Sequence, residues 1–220
     1  MLFRRKSHDR VGTVGLPRAA SGAADVRSCP SLAKALKRIS TRVKPQILDL
    51  GPLCGSTAVF LANRGARVCV EGFKPPPPLP KKIKGDDAEP VAVERFCIDQ
   101  PTDEFDLVLG WEAIDFTPPD RLEEVVGEMK RVLRENGLIL MLSRNSTGSR
   151  KPVRDVPGRF RVVAEDRLSR EPAGAETSTR WVHLTREIER VLKPLSVQGI
   201  HLQRDQTREI LALSKPAKSS

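Results

Sequence analysis

Four residues carry the first chemical question, Asp49, Gly51, Gly55 and Glu71, all within the stretch from Gln46 to Phe73, QILDLGPLCGSTAVFLANRGARVCVEGF. Ile47-Leu48-Asp49-Leu50 is a short apolar run cut by Gly51-Pro52, the pattern of a buried parallel strand that ends in a turn. An acid at the carboxyl end of such a strand stands where open α/β sheets bind ligands. Glycines at 51 and 55 allow the backbone to approach a ligand and to turn sharply into a helix. Glu71 follows Gly51 by 20 residues and ends a second apolar run, where an acid accepts hydrogen bonds from ribose hydroxyls. The competing explanation is that all four are ordinary turn residues of an α/β protein.

The elements that would position these residues are readable in order. Leu32, Leu36 and Ile39 fall at helical spacing after Pro30-Ser31, with Lys34, Lys37 and Arg38 off that stripe. Strand 47–50 leads to a helix capped by Ser56 or Thr57, running through Phe60 to Ala62 and closing at Gly65. A strand from Arg67 to Glu71 completes a βαβ unit. Lys74 to Gly85, KPPPPLPKKIKG, is a stiff extended loop or a Pro-rich ligand for an SH3-like partner. Val91 to Ile98 predicts a third strand, and Phe105 to Leu109 a fourth, buried on both faces. Thr117-Pro118-Pro119-Asp120 starts a helix with Leu122, Val125, Val126, Met129, Val132 and Leu133 on its apolar stripe, stopped by Asn136-Gly137. Leu138 to Leu142 reads as a fifth strand, and Ser143 to Pro157 as a mobile loop. Strand-like pieces lie at 160–163 and 181–184. A helix spans Thr185 to Leu192, and two strands, 195–202 and 209–213, form an antiparallel hairpin.

Composition bounds the classes. The 220 residues, 39% hydrophobic, suffice for one domain with a core. The net charge of +10 is concentrated: residues 1–46 hold eleven Lys or Arg against Asp9 and Asp25, while the rest holds 27 basic and 26 acidic residues. A neutral body argues against a nucleic-acid-binding face on the folded part, leaving a basic arm that either contacts RNA or anionic lipid or is a solvated leader. No secretory signal run and no stretch near the ~20 apolar residues of a membrane span is present. Cys29, Cys54, Cys69 and Cys97 lack CxxC spacing and read as reduced thiols of a cytoplasmic protein. The histidines are far apart and the acids unclustered, so no metal site is expected. The expected organisation is a basic leader over 1–29, one domain over 30–214 and a tail over 215–220.

The order βαβ, β, β-α-β, α and terminal hairpin resembles the class I S-adenosylmethionine-dependent methyltransferases over roughly residues 31–214. Ile47 to Glu71 matches best, with FDLVLGWEAIDF and RVLRENGLILML similar to the family's fourth and fifth strands. The resemblance implies a Rossmann-like three-layer α/β sandwich, with a mostly parallel seven-strand sheet and an antiparallel C-terminal hairpin. It implies S-adenosylmethionine as cofactor, held by Asp49, Gly51, Gly55, Glu71 on the ribose, Asp99 near the adenine amine, and Gly110 and Trp111 at the mouth beside Glu112. The family pattern acid-x-Gly-x-Gly-x-Gly reads here Asp49-Leu50-Gly51-Pro52-Leu53-Cys54-Gly55, so Leu53 replaces the middle glycine and Pro52 stiffens the loop. Trp111 either stacks on a ligand or caps the core, and Asp106 is structural.

GWEA follows the fourth strand in place of the Asn/Asp-Pro-Pro-aromatic signature, and neither Cys54 nor Cys97 has the RNA-cytosine motif; a small-molecule O or N acceptor remains. Methyl transfer asks the protein mainly for alignment and a dry site. His183 is the candidate general base, because its ordinary pKa suits that role near neutrality; the alternative is a buried structural histidine. Two other classes stay open: an inactive methyltransferase-like scaffold that contacts RNA through the basic arm, and a nicotinamide-dependent oxidoreductase, for which the hairpin and GWEA have no role.

Overall fold

The computed structural model describes residues 26–80, 93–145 and 151–215. The chain forms β1 (Val26–Ser28), α1 (Pro30–Ile39), β2 (Gln46–Asp49), α2 (Gly55–Ala62), β3 (Arg67–Val70) and β4 (Phe105–Trp111). A 3-10 turn (Ala113–Phe116), α3 (Leu122–Arg131) and β5 (Leu133–Arg144) follow. Then come β6 (Val153–Asp155), β7 (Gly158–Ala164), β8 (Arg167–Pro172), β9 (Ser178–Arg180), α4 (Thr185–Leu192), β10 (Ser196–Leu202) and β11 (Thr207–Leu213).

The main sheet runs β10-β11-β5-β4-β2-β3. Strands β3, β2, β4 and β5 are mutually parallel, β11 pairs antiparallel with β5, and β10 antiparallel with β11. Alternation along β4 explains the three layers. Leu107 and Leu109 join Ile47, Leu140 and the buried stripe of α1, Leu32, Leu36 and Ile39, on one face. Val108 joins Leu48, Ile139 and the stripes of α3 and α4 on the other. Both faces are covered, so these strands read as unbroken apolar runs. Strand order reverses between β2 and β4, and the crevice outside their carboxyl ends is where such sheets take ligands.

Several expectations change. Among the described residues the sheet has six strands, because 93–98 forms none. The amides of Phe96 and Ile98 instead donate to Glu124 Oε1 (2.7 Å) and Glu128 Oε2 (3.0 Å) on α3, and Arg131 Nη2 donates to the Ile98 carbonyl (2.7 Å). The expected leader boundary shifts as well: β1 lies within 1–29, yet pairs antiparallel with β8. Residues 1–25 lie outside the described residues. Helix α2 starts at Gly55 with no side-chain cap. Thr57 turns its hydroxyl to β7 instead, donating to the Phe160 carbonyl and accepting from the Val162 amide, both at 2.9 Å. Gly65 adopts φ +80°, as a helix-closing glycine can.

The stretch between β5 and α4 contains more structure than its sequence suggests. Strands β1, β8 and β7 form an antiparallel sheet, and β6 pairs with β9. This cap folds back over the carboxyl ends of the main strands, with β7 against α2. No helix among the described residues is long and apolar enough to cross a membrane.

Candidate functional site

Asp49 ends β2 and Trp111 ends β4, so parallel pairing of these strands brings both to the crevice. Trp111 Nε1 donates to Asp49 Oδ1 at 2.6 Å, and the Gly51 amide donates to the same oxygen at 2.8 Å. Burial pushes the Asp49 carboxyl above its ordinary pKa, opposed by the Gly51 amide and then by the indole. The Trp111 backbone makes this possible. Its φ of 38° is in the left-handed region, and the β4–β5 register shifts between Leu109 and Trp111. That turn throws the indole sideways over Gly51, where an added Cβ would stand 2.6 Å from Trp111 Cδ1 and 2.9 Å from Nε1. Phe160 of β7 stacks on the indole from the cap, with centroids 5.0 Å apart and rings 10° from parallel.

Beside the indole lies a small cleft of about 50 Å³, lined by Leu50, Gly51, Pro52, Phe73, Pro75, Phe116, Pro157 and neighbours. Its walls are mostly apolar, as those of ligand sites generally are. Glu71 stands just past β3, and its Oε1 accepts the Asp99 amide at 3.0 Å. Its Oε2 is buried with no hydrogen-bond partner among the described residues. Asp99 is exposed and contributes that amide. Leu53, at the position of the missing glycine, is 68% exposed and points away from the cleft. Gly55 opens α2 with free space where a side chain would be. Gly110 lines the cleft, but its missing side chain answers to the core, since a Cβ there would meet Met141 Cγ at 3.0 Å.

The mouth is walled by a charge cluster that the sequence did not announce. Arg180 of β9 is buried and reaches Glu112 (2.5 Å), Asp115 (3.0 Å) and Asp155 (2.5 Å). Arg170 of β8 adds two bonds to Glu112 at 3.0 Å, and the Gly158 amide a third at 3.0 Å. Burial alone would raise the Glu112 carboxyl, but the Arg180 and Arg170 guanidinium groups outweigh it and hold it below its ordinary range. Complete burial pushes Asp115 up despite Arg180. Glu112 is therefore committed to holding the cap, with its acceptor capacity spent.

His183 does not join the site. It is 2% exposed, and its Nε2 lies 2.9 Å from the Ile114 carbonyl and 3.1 Å from the Thr117 carbonyl. Carbonyls only accept, so Nε2 carries the hydrogen and Nδ1 is the nitrogen left to take a proton. Burial also lowers the pKa of the ring. These contacts, and the ring's place outside the cleft lining, favour the structural alternative over the general base. Of the expected residues, Gly51, Gly110 and Trp111 line the cleft, Asp49 is buried and bonded to the Gly51 amide and the Trp111 indole, Glu71 and Asp99 meet each other, and Gly55 stands at the first turn of α2. Among the described residues, no group of three or more His, Cys, Asp or Glu is placed to hold a metal ion.

Parallel strands with a switch point between β2 and β4, closed by an antiparallel final strand, define a Rossmann-like methyltransferase fold. Solved structures agree. The chain is similar to the 1,6-didemethyltoxoflavin-N1-methyltransferase of Burkholderia thailandensis, solved with 1,6-didemethyltoxoflavin and S-adenosylhomocysteine, with a TM-score of 0.51 and 19% identity over 84% of this chain and 77% of that one. It is similar to an S-adenosylmethionine-dependent methyltransferase of Mesorhizobium loti, with a TM-score of 0.53 and 14% identity over 87% and 98% of the two chains. The 4+2 cyclase SpnF shares the fold at a TM-score of 0.52 and 10% identity over 84% and 80%. No protein-family model matches the sequence, and no curated protein matches it. The chain therefore has the fold of the S-adenosylmethionine-dependent methyltransferases, a fold that SpnF uses under the name of a cyclase.

Proposed function

We propose that this protein is a cytoplasmic S-adenosylmethionine-dependent methyltransferase with a small-molecule oxygen or nitrogen acceptor. The observation that carries the reading is Glu71 Oε2, a buried carboxylate oxygen without a donor among the described residues, just past the strand beside the switch point. Buried acceptors are ordinarily paired, and a ribose hydroxyl is a donor of the right kind for this one. The small-molecule acceptor is the class named for the B. thailandensis neighbour.

When bound, the cofactor supplies a methyl group on a sulfonium, already activated for in-line displacement. The chain's own residues supply position and dryness. Glu71 takes the ribose, Asp99 lies on the adenine side, and Gly55 leaves room at the start of α2. Phe73, Phe116, Pro75 and Pro157 keep water from the cleft. Glu112 fixes the cap over the mouth through Arg170 and Arg180. At Glu71 the unpartnered oxygen suits a ribose hydroxyl; at Gly51 there is room for a ligand only once the Trp111 indole has moved.

Isothermal titration with S-adenosylmethionine and S-adenosylhomocysteine tests the reading. Binding that Glu71→Ala weakens by about tenfold or more, the worth of a hydrogen bond to a charged group, supports it; failure of the folded natural chain and of its folded Trp111→Phe and Trp111→Ala variants to bind either compound overturns it. A second reading, a scaffold that transfers no methyl group, is favoured by the indole seated on Asp49 and Gly51. Salt-sensitive RNA binding that is lost on deleting residues 1–25, by a chain that binds no cofactor, would select it.

A further inference from the structure

Gly51 and Glu71, which follow the ends of the neighbouring strands β2 and β3, are occupied differently. At Glu71 an acceptor oxygen has no donor among the described residues; at Gly51 the acceptor is satisfied and the space is filled, both by Trp111. Resting on the methyltransferase reading, we propose that Trp111 is a gate: its indole holds the cofactor's place over Gly51 by bonding Asp49, and it leaves when the cofactor enters.

Three independent features separate a gate from an ordinary core tryptophan. The first is the backbone. A bulky residue at φ 38° is in a region that L side chains rarely adopt, and such conformations persist where surrounding contacts force them and cluster at ligand sites and switches. The second is the latch. The indole is held by one polar contact, Nε1 to Asp49 Oδ1 at 2.6 Å, and a ligand N–H can replace that donor while the Gly51 amide keeps its own bond to the same oxygen. The third is the seat. Glycine at 51 leaves the backbone bare, and the group lying against that bare position is the indole itself. Indole and ligand therefore compete for one place, and the apparent affinity is the intrinsic affinity reduced by the fraction of molecules with the gate open. Phe160 stacks on the indole, so the cap bears directly on that fraction.

The chain contains two tryptophans, Trp111 and Trp181, so Trp181→Phe leaves Trp111 as the sole emitter. We would titrate that protein with S-adenosylhomocysteine by fluorescence. In parallel, calorimetry would compare the natural chain with Trp111→Phe and Trp111→Ala, each checked for folding by thermal unfolding. The gate requires the Trp111 emission to shift on saturation and Trp111→Phe, which removes the latch bond, to bind about tenfold tighter or more. Binding by Trp111→Phe or Trp111→Ala where the natural chain shows none supports it equally. Unchanged or weaker affinity in a folded Trp111→Phe, or emission that stays fixed on saturation, overturns the gate and leaves the methyltransferase reading intact. Failure of all three folded proteins to bind removes that reading and the gate with it.

Discussion

His183 illustrates how one residue type supports two chemistries. An imidazole near the site suggests a base, yet this ring spends its Nε2 hydrogen on two carbonyls of the 3-10 turn and its neighbour Thr117. Burial depresses its pKa below 6.5. The unfolded chain therefore takes up this proton first as pH falls: the associated stability is present above pH 6.5 and drains away below it, at no more than about 1.4 kcal/mol per pH unit. Urea unfolding at pH 7.5 and 5.5 should show the loss in the natural chain and a smaller one in His183→Gln, whose amide still donates to the carbonyls but does not titrate. Methyl-transfer activity that persists in the folded variant would assign the ring a structural role, and its loss would restore the general base.

At the scale of elements, the cap depends on Thr57. One hydroxyl on α2 serves both the Phe160 carbonyl and the Val162 amide, and so sets the height of β7 and of the ring that meets Trp111. Thr57→Val keeps the shape and removes both bonds, leaving buried backbone groups unpaired. The expected cost is about 1–3 kcal/mol in urea unfolding. Little of this was legible in the sequence. The main strands were, because layers on both faces impose continuous apolar runs, and the helices were, because their stripes repeat at helical spacing. Residues 91–98 have the same apolar content, but the amides of Phe96 and Ile98 go to Glu124 and Glu128, 28 and 30 residues onward, and no local pattern encodes that choice. Asp49 and Trp111 could each be placed at the end of a strand from sequence alone. Their bond could not, since it follows from a left-handed backbone at a residue type that rarely takes one. Arg180 was hidden for a related reason: Glu112 lies 68 residues before it, and only the folded cap sets the two side by side.

At the scale of the whole molecule, charge is distributed by role. The basic excess sits in residues 1–46, while the ion pairs at the mouth lock cap to body. Breaking a buried pair by removing one partner typically costs about 3–5 kcal/mol, because the abandoned charge stays buried. Arg180 has three such carboxylates on two sides of a seam, Asp155 in the cap and Glu112 and Asp115 beyond the end of β4. A lid free to lift would exchange its amide hydrogens long before the core. Here, detaching β6 to β9 carries Arg180 and Asp155 away together and strands Glu112 and Asp115 at once, so the cap amides should exchange with deuterium at rates close to those of β4. If the cap amides exchange much faster than β4, the seam is not closed. If they match, 151–180 and the sheet unfold as a single cooperative body, and ligand entry must be managed by side chains such as the Trp111 indole.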